Sequence, residues 1–210
     1  MKKLAMAVIF MAGIIALAAD DPGGYLTAKW GMNQTQVKEA LKEKSFKSMM
    51  GSKGKMIYYN DMAVATAAMF RFYFSDFDEF YKMDLYPIQK VGSMAGQAMG
   101  VDVWGREVIE TFRSLETALT EKYGKPNESN KDNLSHFADL DQALIRGQAS
   151  IIEKWDFEKT IITLQIIRNT PDTAFQDQGF TGNFRPIMIY ESKTIKAPEN
   201  KQKKKSDGLI

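Results

Sequence analysis

Short stretches in which hydrophobic and polar residues alternate occur in both halves of the chain, and they predict β-strands. The clearest stretch covers residues 67–75, where Arg71 and Tyr73 lie on one face of the predicted strand. Three phenylalanines share its other face: Phe70, Phe72 and Phe74. Further strands are predicted over residues 56–60, 80–86, 149–157, 160–168 and 184–192.

The first helix is predicted from a capping box followed by an apolar stripe. Asn33 precedes Gln36 by three residues, so the side chain of each can bond the backbone N–H of the other. Val37 and Leu41 then recur one helical turn apart. We expect a helix over about residues 34–45.

A second, longer helix is predicted after residue 104, where four apolar side chains recur at helical spacing: Val108, Phe112, Leu115 and Leu119. Gly124 is the expected left-handed stop, and Pro126 cannot continue a helix. Residues 46–55, which hold two glycines, and residues 127–135, which are polar, predict breaks in regular structure. Residues 137–145 are a candidate for a short extra helix.

The predicted elements follow the order helix, three strands, helix, three strands. This order indicates an α+β fold of tandem helix-plus-antiparallel-meander units, with the helices packed on one face of an antiparallel sheet. The halves would cover about residues 30–87 and 104–192, joined by a connector over residues 88–103. Trp30-Gly31 and Trp104-Gly105 each precede a predicted helix, which indicates an internal duplication. Glycines at 92, 96 and 100 leave open whether the connector is helix or loop.

The N-terminal residues 1–19 have the three parts of a secretory signal peptide. Lys2 and Lys3 are positively charged, residues 4–17 are almost entirely apolar, and Ala16-Leu17-Ala18 fits the small-x-small pattern of a cleavage site. The apolar run is shorter than the roughly 18 to 20 residues that span a bilayer. We therefore expect a periplasmic or secreted protein whose α+β domain covers residues 20–192.

Composition and charge narrow the function classes. The chain has 210 residues, of which 44% are hydrophobic and 26% charged, and it has no cysteine, as expected of a globular domain without disulfides. The N-terminal lysines contribute +2 and residues 193–210 contribute +4, which leaves 20 basic against 24 acidic residues in the body. An acidic body argues against nucleic-acid binding. The lysine-rich tail over residues 193–210 is predicted to be disordered and is a candidate for weak contact with anionic lipid.

Candidate catalytic and metal-binding residues are few. His136 is the single histidine, and the sequence contains neither a G-x-S-x-G elbow nor a phosphate-binding glycine loop. Asp76, Asp78 and Glu79 lack the glycine and the distal glutamate of a calcium loop, so we expect a solvated turn. The methionines form no Met-x-Met series for Cu(I), and core filling is their expected role. No catalytic, cofactor or metal residue is predicted, and we expect a protein that is not an enzyme.

The order of elements and several motifs resemble a family of exported bacterial domains. Gly31-Met32 followed by Val37 is similar to the start of the first helix in domains related to BamE (the SmpA/OmlA family) and to the β-lactamase-inhibitor-protein-like fold. The helix end Tyr123-Gly124-Lys125-Pro126 and the hairpin that carries Trp155 and Thr160 are similar to patterns in uncharacterised proteins of that architecture. The resemblance implies a helix-on-sheet fold that contacts proteins without catalysis. BamE-like proteins are outer-membrane lipoproteins, whereas this chain lacks the cysteine that would carry the lipid.

These observations predict a non-catalytic domain that binds an envelope or secreted protein or associates with the cell envelope. Four aromatic residues form the candidate partner or ligand surface: Tyr73, Tyr81, Trp104 and Trp155. The alternative function is a periplasmic carrier of a small molecule or lipid, with a cavity lined by aromatic and methionine side chains. The partner and the oligomeric state are left open by the sequence.

Overall fold

The computed structural model describes residues 20–42, 46–52, 54–60, 68–87, 101–145, 148–168 and 184–198. The strands are β1 Gly24–Tyr25, β2 Ala28–Lys29, β3 Lys47–Ser52, β4 Lys55–Asn60, β5 Ala68–Phe74, β6 Phe80–Pro87, β7 Glu128–Ser129, β8 Ile152–Asp156, β9 Thr160–Arg168 and β10 Phe184–Ser192. The helices are α1 Gln34–Leu41, α2 Val101–Tyr123 and α3 Leu140–Ile145, with a 3₁₀ helix over Lys131–Leu134. The predicted signal peptide, the glycine-repeat segment and residues 199–210 lie outside the described residues.

An eight-stranded antiparallel sheet is the centre of the fold, and its order is β3-β4-β5-β6-β10-β9-β8-β7. Strands adjacent in sequence pair within each half of the sheet, and the halves meet where β6 pairs with β10. β1 and β2 form a separate two-stranded hairpin. The fold is therefore α+β, as predicted from the order of helical and strand patterns along the chain.

Two strands of the sheet occupy segments in which breaks were predicted. β3 lies within residues 46–55 and forms a hairpin with β4, whose turn contains Gly54 at φ +80°. β7 lies within residues 127–135 and is held at the edge of β8 by side chains, because Asn127 Oδ1 accepts the N–H of Asp156 at 2.7 Å and Asn130 Oδ1 accepts the N–H of Ile152 at 2.9 Å. Within the described residues each half of the sheet thus has four strands, and the prediction of three was wrong.

The predicted start of α1 and the predicted end of α2 are present in the structure, whereas the end of α1 and the start of α2 differ from the prediction. Asn33 and Gln36 form the predicted capping box with two bonds of 2.9 Å, and α1 ends at Leu41, before the predicted bound. Gly124 ends α2 in the left-handed region at φ +80°. However, α2 begins at Val101, so Trp104-Gly105 lies inside this helix and does not precede it as predicted.

The hydrophobic core contains side chains from both halves of the sheet and from each of the three described α-helices. The sheet contributes Phe70, Phe72, Phe74, Met83, Leu85, Trp155, Ile162, Leu164, Met188 and Tyr190, among others. The helices contribute Val37, Leu41, Val108, Ile109, Phe112, Leu115, Leu119 and Leu144. The three phenylalanines predicted to share a face of β5 are at most 1% exposed, which confirms the alternation over this strand.

Candidate functional site

The central strands present two chemically different faces, because successive side chains of a strand point in opposite directions. We call the face that enters the main hydrophobic core the core face. The opposite face, which we call the outer face, carries Arg71 and Tyr73 of β5, Lys82, Asp84 and Tyr86 of β6, and Arg185, Ile187 and Ile189 of β10. Met69, Tyr86 and Ile187 form a second, small hydrophobic cluster on this face.

A buried carboxylate organises the polar residues of the outer face. Asp84 is 3% exposed and lies directly opposite Arg71 in the register of β5 and β6. Its Oδ2 atom accepts hydrogen bonds from the phenol groups of Tyr73 at 2.9 Å and Tyr86 at 3.1 Å. Its Oδ1 atom lies 3.3 Å from Nζ of Lys82. Three side chains from two strands are thus held around one acidic group, and Arg71 lies opposite it.

Two buried guanidinium groups flank the ring of Tyr86. The Cζ atom of Arg71 lies 4.9 Å from the ring centroid, and the Cζ atom of Arg185 lies 4.6 Å from it. Arginines in this position are attracted by the negative face of the ring, and the attraction is stronger where water is excluded. Both arginines are buried, at 8% and 4% exposure. The cluster therefore joins β5, β6 and β10 across the junction of the two halves of the sheet.

Burial also sets the protonation of the cluster. It raises the pKa of the Tyr86 phenol to about 12, assisted by the negative charge of Asp84. The pKa of Tyr73 is raised for the same two reasons. Burial lowers the pKa of the Arg185 guanidinium, and the nearby positive charge of Arg71 adds to this effect. At neutral pH the tyrosines therefore remain protonated hydrogen-bond donors.

The part of the outer face nearest the β5–β6 turn is accessible to solvent. Six residues lie in one cross-strand row, which we call the outer row, in the order Lys55, Tyr73, Lys82, Glu191, Ile161 and Asp156. Glu191 and Asp156 are exposed, and the other four side chains are partly exposed. Beside the row, the turn places Phe77 in solvent at 86% exposure.

The predicted surface residues whose side chains the structure describes differ in accessibility. Tyr73 belongs to the outer row, whereas Tyr81 is 8% exposed. Trp155 is 1% exposed in the core and donates its indole N–H to the carbonyl oxygen of Gly124 at 2.8 Å, so it is not part of an accessible surface. Trp104 lies in α2, and its side chain is outside the described residues. The sequence did not predict site residues at Arg71, Asp84 and Arg185. Alternation along a strand predicts the face on which a side chain lies but not whether that side chain is buried.

A second buried carboxylate lies on the core side of β8. Glu153 is 1% exposed, and its Oε1 atom is 2.9 Å from Nζ of Lys131, which is also 2.6 Å from Glu116 of α2. Burial raises the pKa of Glu153. Burial opposes the charge of Lys131, but its bonds to the two glutamates outweigh this effect and raise its pKa. The lysine thus connects α2, the 3₁₀ helix and β8.

The segment that follows the predicted cleavage site is bonded into the fold. Asp21 accepts hydrogen bonds from the N–H of Gly23 at 2.8 Å, from Oγ1 of Thr160 at 2.7 Å and from the N–H of Lys159. The indole of Trp30 donates to the same Thr160 hydroxyl at 2.9 Å. Burial opposes the charge of Asp21, but these bonds outweigh it and lower the pKa of its carboxyl. The chain is thus fixed to β9 from residue 21 onwards.

The remaining candidate groups lie apart from the outer face. His136 is exposed in a turn, and its Nδ1 atom lies 2.9 Å from the carbonyl oxygen of Asn133. Ser75 closes the turn over residues 76–79, where its hydroxyl accepts the N–H groups of Phe77 and Glu79, each at 3.2 Å. In the described part of the chain, no three acidic or histidine side chains converge as metal ligands would. No helix within the described ranges is long and apolar enough to cross a membrane.

Comparison of the chain with protein-family models, with curated proteins and with solved structures gave no match in any of the three. The similarity to BamE-like and inhibitor-like domains therefore stays an expectation from the sequence motifs.

Proposed function

We propose that the protein is an exported, non-catalytic domain that binds an envelope or secreted protein partner through the outer face of its sheet. The observation that carries this proposal is the outer row, where Tyr73 is partly exposed and is held by its hydrogen bond to Asp84. Tyrosine and arginine contribute disproportionately to protein interfaces, and a side chain that is already ordered loses less entropy on binding.

The arrangement of elements supports a scaffold of two related units. In each half a helix precedes a four-stranded meander, and the order β3-β4-β5-β6 is mirrored by β7-β8-β9-β10 about the β6–β10 junction. We infer that the helices cover the core face of both units. With the core face covered in this way, the accessible outer row is the part of the sheet proposed for recognition, which fits the role that the sequence resemblance implies.

Export is supported by the sequence of residues 1–19 and agrees with the bonding of Asp21. Cleavage after residue 18 or 19 would leave Asp21 and its hydrogen bonds in the mature chain. Envelope association, including contact of the lysine tail with anionic lipid, belongs to the same proposal.

The experiment that tests this function is affinity capture after crosslinking in cells. Wild-type protein is compared with a variant that carries Tyr73→Ala, Phe77→Ala and Glu191→Ala, and with a control that carries Glu121→Ala and Lys122→Ala on the exposed side of α2. We expect the wild type and the control to capture the same envelope protein and the outer-face variant to lose it. Equal capture by all three proteins would contradict the proposal.

The alternative of a small-molecule or lipid carrier has less support. The aromatic side chains expected to line a cavity contact one another, with ring-centroid distances of 5.5 Å for Phe72 and Phe80 and 4.8 Å for Phe46 and Phe70. Contacts of this kind are those of a filled aromatic core.

A further inference from the structure

The charges of the outer row are divided between the two halves of the sheet. In the first half the row carries Lys55 on β4 and Lys82 on β6, with Tyr73 between them. In the second half it carries Glu191 on β10 and Asp156 on β8, with Ile161 between them. The midpoint of the row is the pairing of Lys82 with Glu191 at the β6–β10 junction.

This order makes the row complementary to itself. A second copy, turned by a two-fold rotation about an axis parallel to the central strands, presents the same row in reverse order. Lys82 then faces Glu191 of the second copy, Tyr73 faces Ile161, and Lys55 faces Asp156. A rotation about an axis perpendicular to the strands would instead place like charges against each other, which disfavours that arrangement.

We propose that the protein forms a symmetric dimer in which the outer rows of two copies face each other, with the two-fold axis parallel to β6 and β10. The inference rests on the proposed use of the outer face for protein binding, and it names a second copy of this chain as the partner. The contact is confined to the accessible row, because Arg71 and Asp84 are buried and Asp84 is already bonded to Tyr73 and Tyr86. Each interface contains four charge pairs and two contacts of tyrosine with isoleucine.

The contact has the composition of a moderate, reversible interface. Within one chain Lys82 already lies 3.3 Å from Asp84, and Asp156 lies 2.8 Å from Lys193. In the dimer Lys82 and Asp156 would therefore each interact with a partner in their own chain and with one in the second copy. Exposed ion pairs contribute little individually and are screened by salt, so the dimer should weaken as ionic strength rises.

The position of the second copy in the dimer is tested by cysteine crosslinking. The chain has no native cysteine, so only the introduced cysteines react with the crosslinker. Lys55→Cys and Asp156→Cys are introduced together, and a bis-maleimide with a span of about 10 Å, the usual spacing of stacked sheets, is added. Within one chain the two positions are five strand spacings apart, or about 24 Å, so this reagent cannot join them. We expect a covalent dimer from the double variant and none from Lys55→Cys alone or from Glu121→Cys on α2.

Charge reversal tests the register by sedimentation equilibrium of the purified chain. Glu191→Lys would face Lys82 of the second copy and is expected to raise the dimer dissociation constant about tenfold or more. Lys55→Glu and Asp156→Lys should each weaken the dimer, and their combination should restore it to within about threefold of wild type, since one charge pair is exchanged for another. Urea unfolding of each variant verifies that it is folded.

The inference would be overturned if the wild type were monomeric and the double cysteine variant gave no crosslinked dimer. It would also be overturned if the Lys55→Glu/Asp156→Lys double variant dimerised as weakly as either single variant. The proposed function would survive that result if an envelope protein were still captured through the outer row. Loss of both capture and dimerisation would contradict both.

Discussion

The two faces of the central sheet bury their residues by different chemistry. On the core face, Phe70, Phe72 and Leu85 are fully buried among apolar neighbours. On the outer face, Arg71 and Asp84 lie opposite each other and are almost as deeply buried, and Asp84 accepts hydrogen bonds from two tyrosines. Apolar burial stabilises the fold in proportion to area, whereas buried charges are costly to desolvate and depend on every partner. We infer that the core face contributes most of the stability, whereas the polar contacts of the outer face hold its side chains in defined positions.

The largest expected effect is on the core face. Phe72→Ala removes a ring that contacts Tyr58 and Phe80, and we expect the free energy of unfolding to fall by about 3–5 kcal/mol. Urea unfolding measures the loss. Phe77→Ala is the matched control, because this phenylalanine is 86% exposed in the next turn and its removal should change stability by no more than about 0.5 kcal/mol. Equal effects at the two positions would remove the distinction between core and surface.

A smaller effect is expected from the charged pair of the outer face. Asp84→Asn keeps the shape of the side chain but removes the charge beside Arg71 and Lys82, and we expect a loss of about 2–3 kcal/mol. Asp156→Asn, which breaks an exposed pair with Lys193, should cost less than about 1 kcal/mol. An equal loss of unfolding free energy in the two variants would show that burial does not increase the contribution of Asp84 to stability.

The smallest effect concerns Glu153, the charged exception on the core side of β8. Because burial raises the pKa of Glu153 above its ordinary value of 4.5, its contribution to stability is fully present below that value and is lost as the pH rises through the folded-state pKa. Glu153→Gln lacks this titration and keeps the Lys131–Glu116 pair, so its stability relative to wild type should increase from acid to neutral pH. Among the described residues, Lys131 and Glu116 are the charged groups that act on Glu153. If the free energy of unfolding had the same pH dependence in both proteins, burial would not disfavour the charged form of Glu153.

The sequence predicts those elements whose signals are local. The Asn33 capping box, the phenylalanine alternation of β5 and the Gly124 stop each depend on residues within one turn or strand, and each appears in the structure. β7 could not be predicted in this way, because two exposed residues form a strand only through the edge of β8 and the side chain of Asn127.

The candidate site was less predictable for a similar reason. Alternation places Arg71 opposite the phenylalanines, but its burial depends on β6 and on β10, which follows it by more than a hundred residues in the chain. Trp155 shows the reverse error, since an aromatic residue chosen for recognition is instead fixed in the core by its bond to Gly124.

The role of the outer face as a binding surface is best tested by site-specific photocrosslinking of the full chain in its native host. A photoreactive residue is placed at Glu191 in the outer row or, as a control, at Glu121 on the exposed side of α2. We expect a discrete protein adduct from position 191, either a second copy or an envelope protein, and none from position 121. Adducts from position 121 alone, or the same adducts from both positions, would contradict the claim that the outer face is the binding surface.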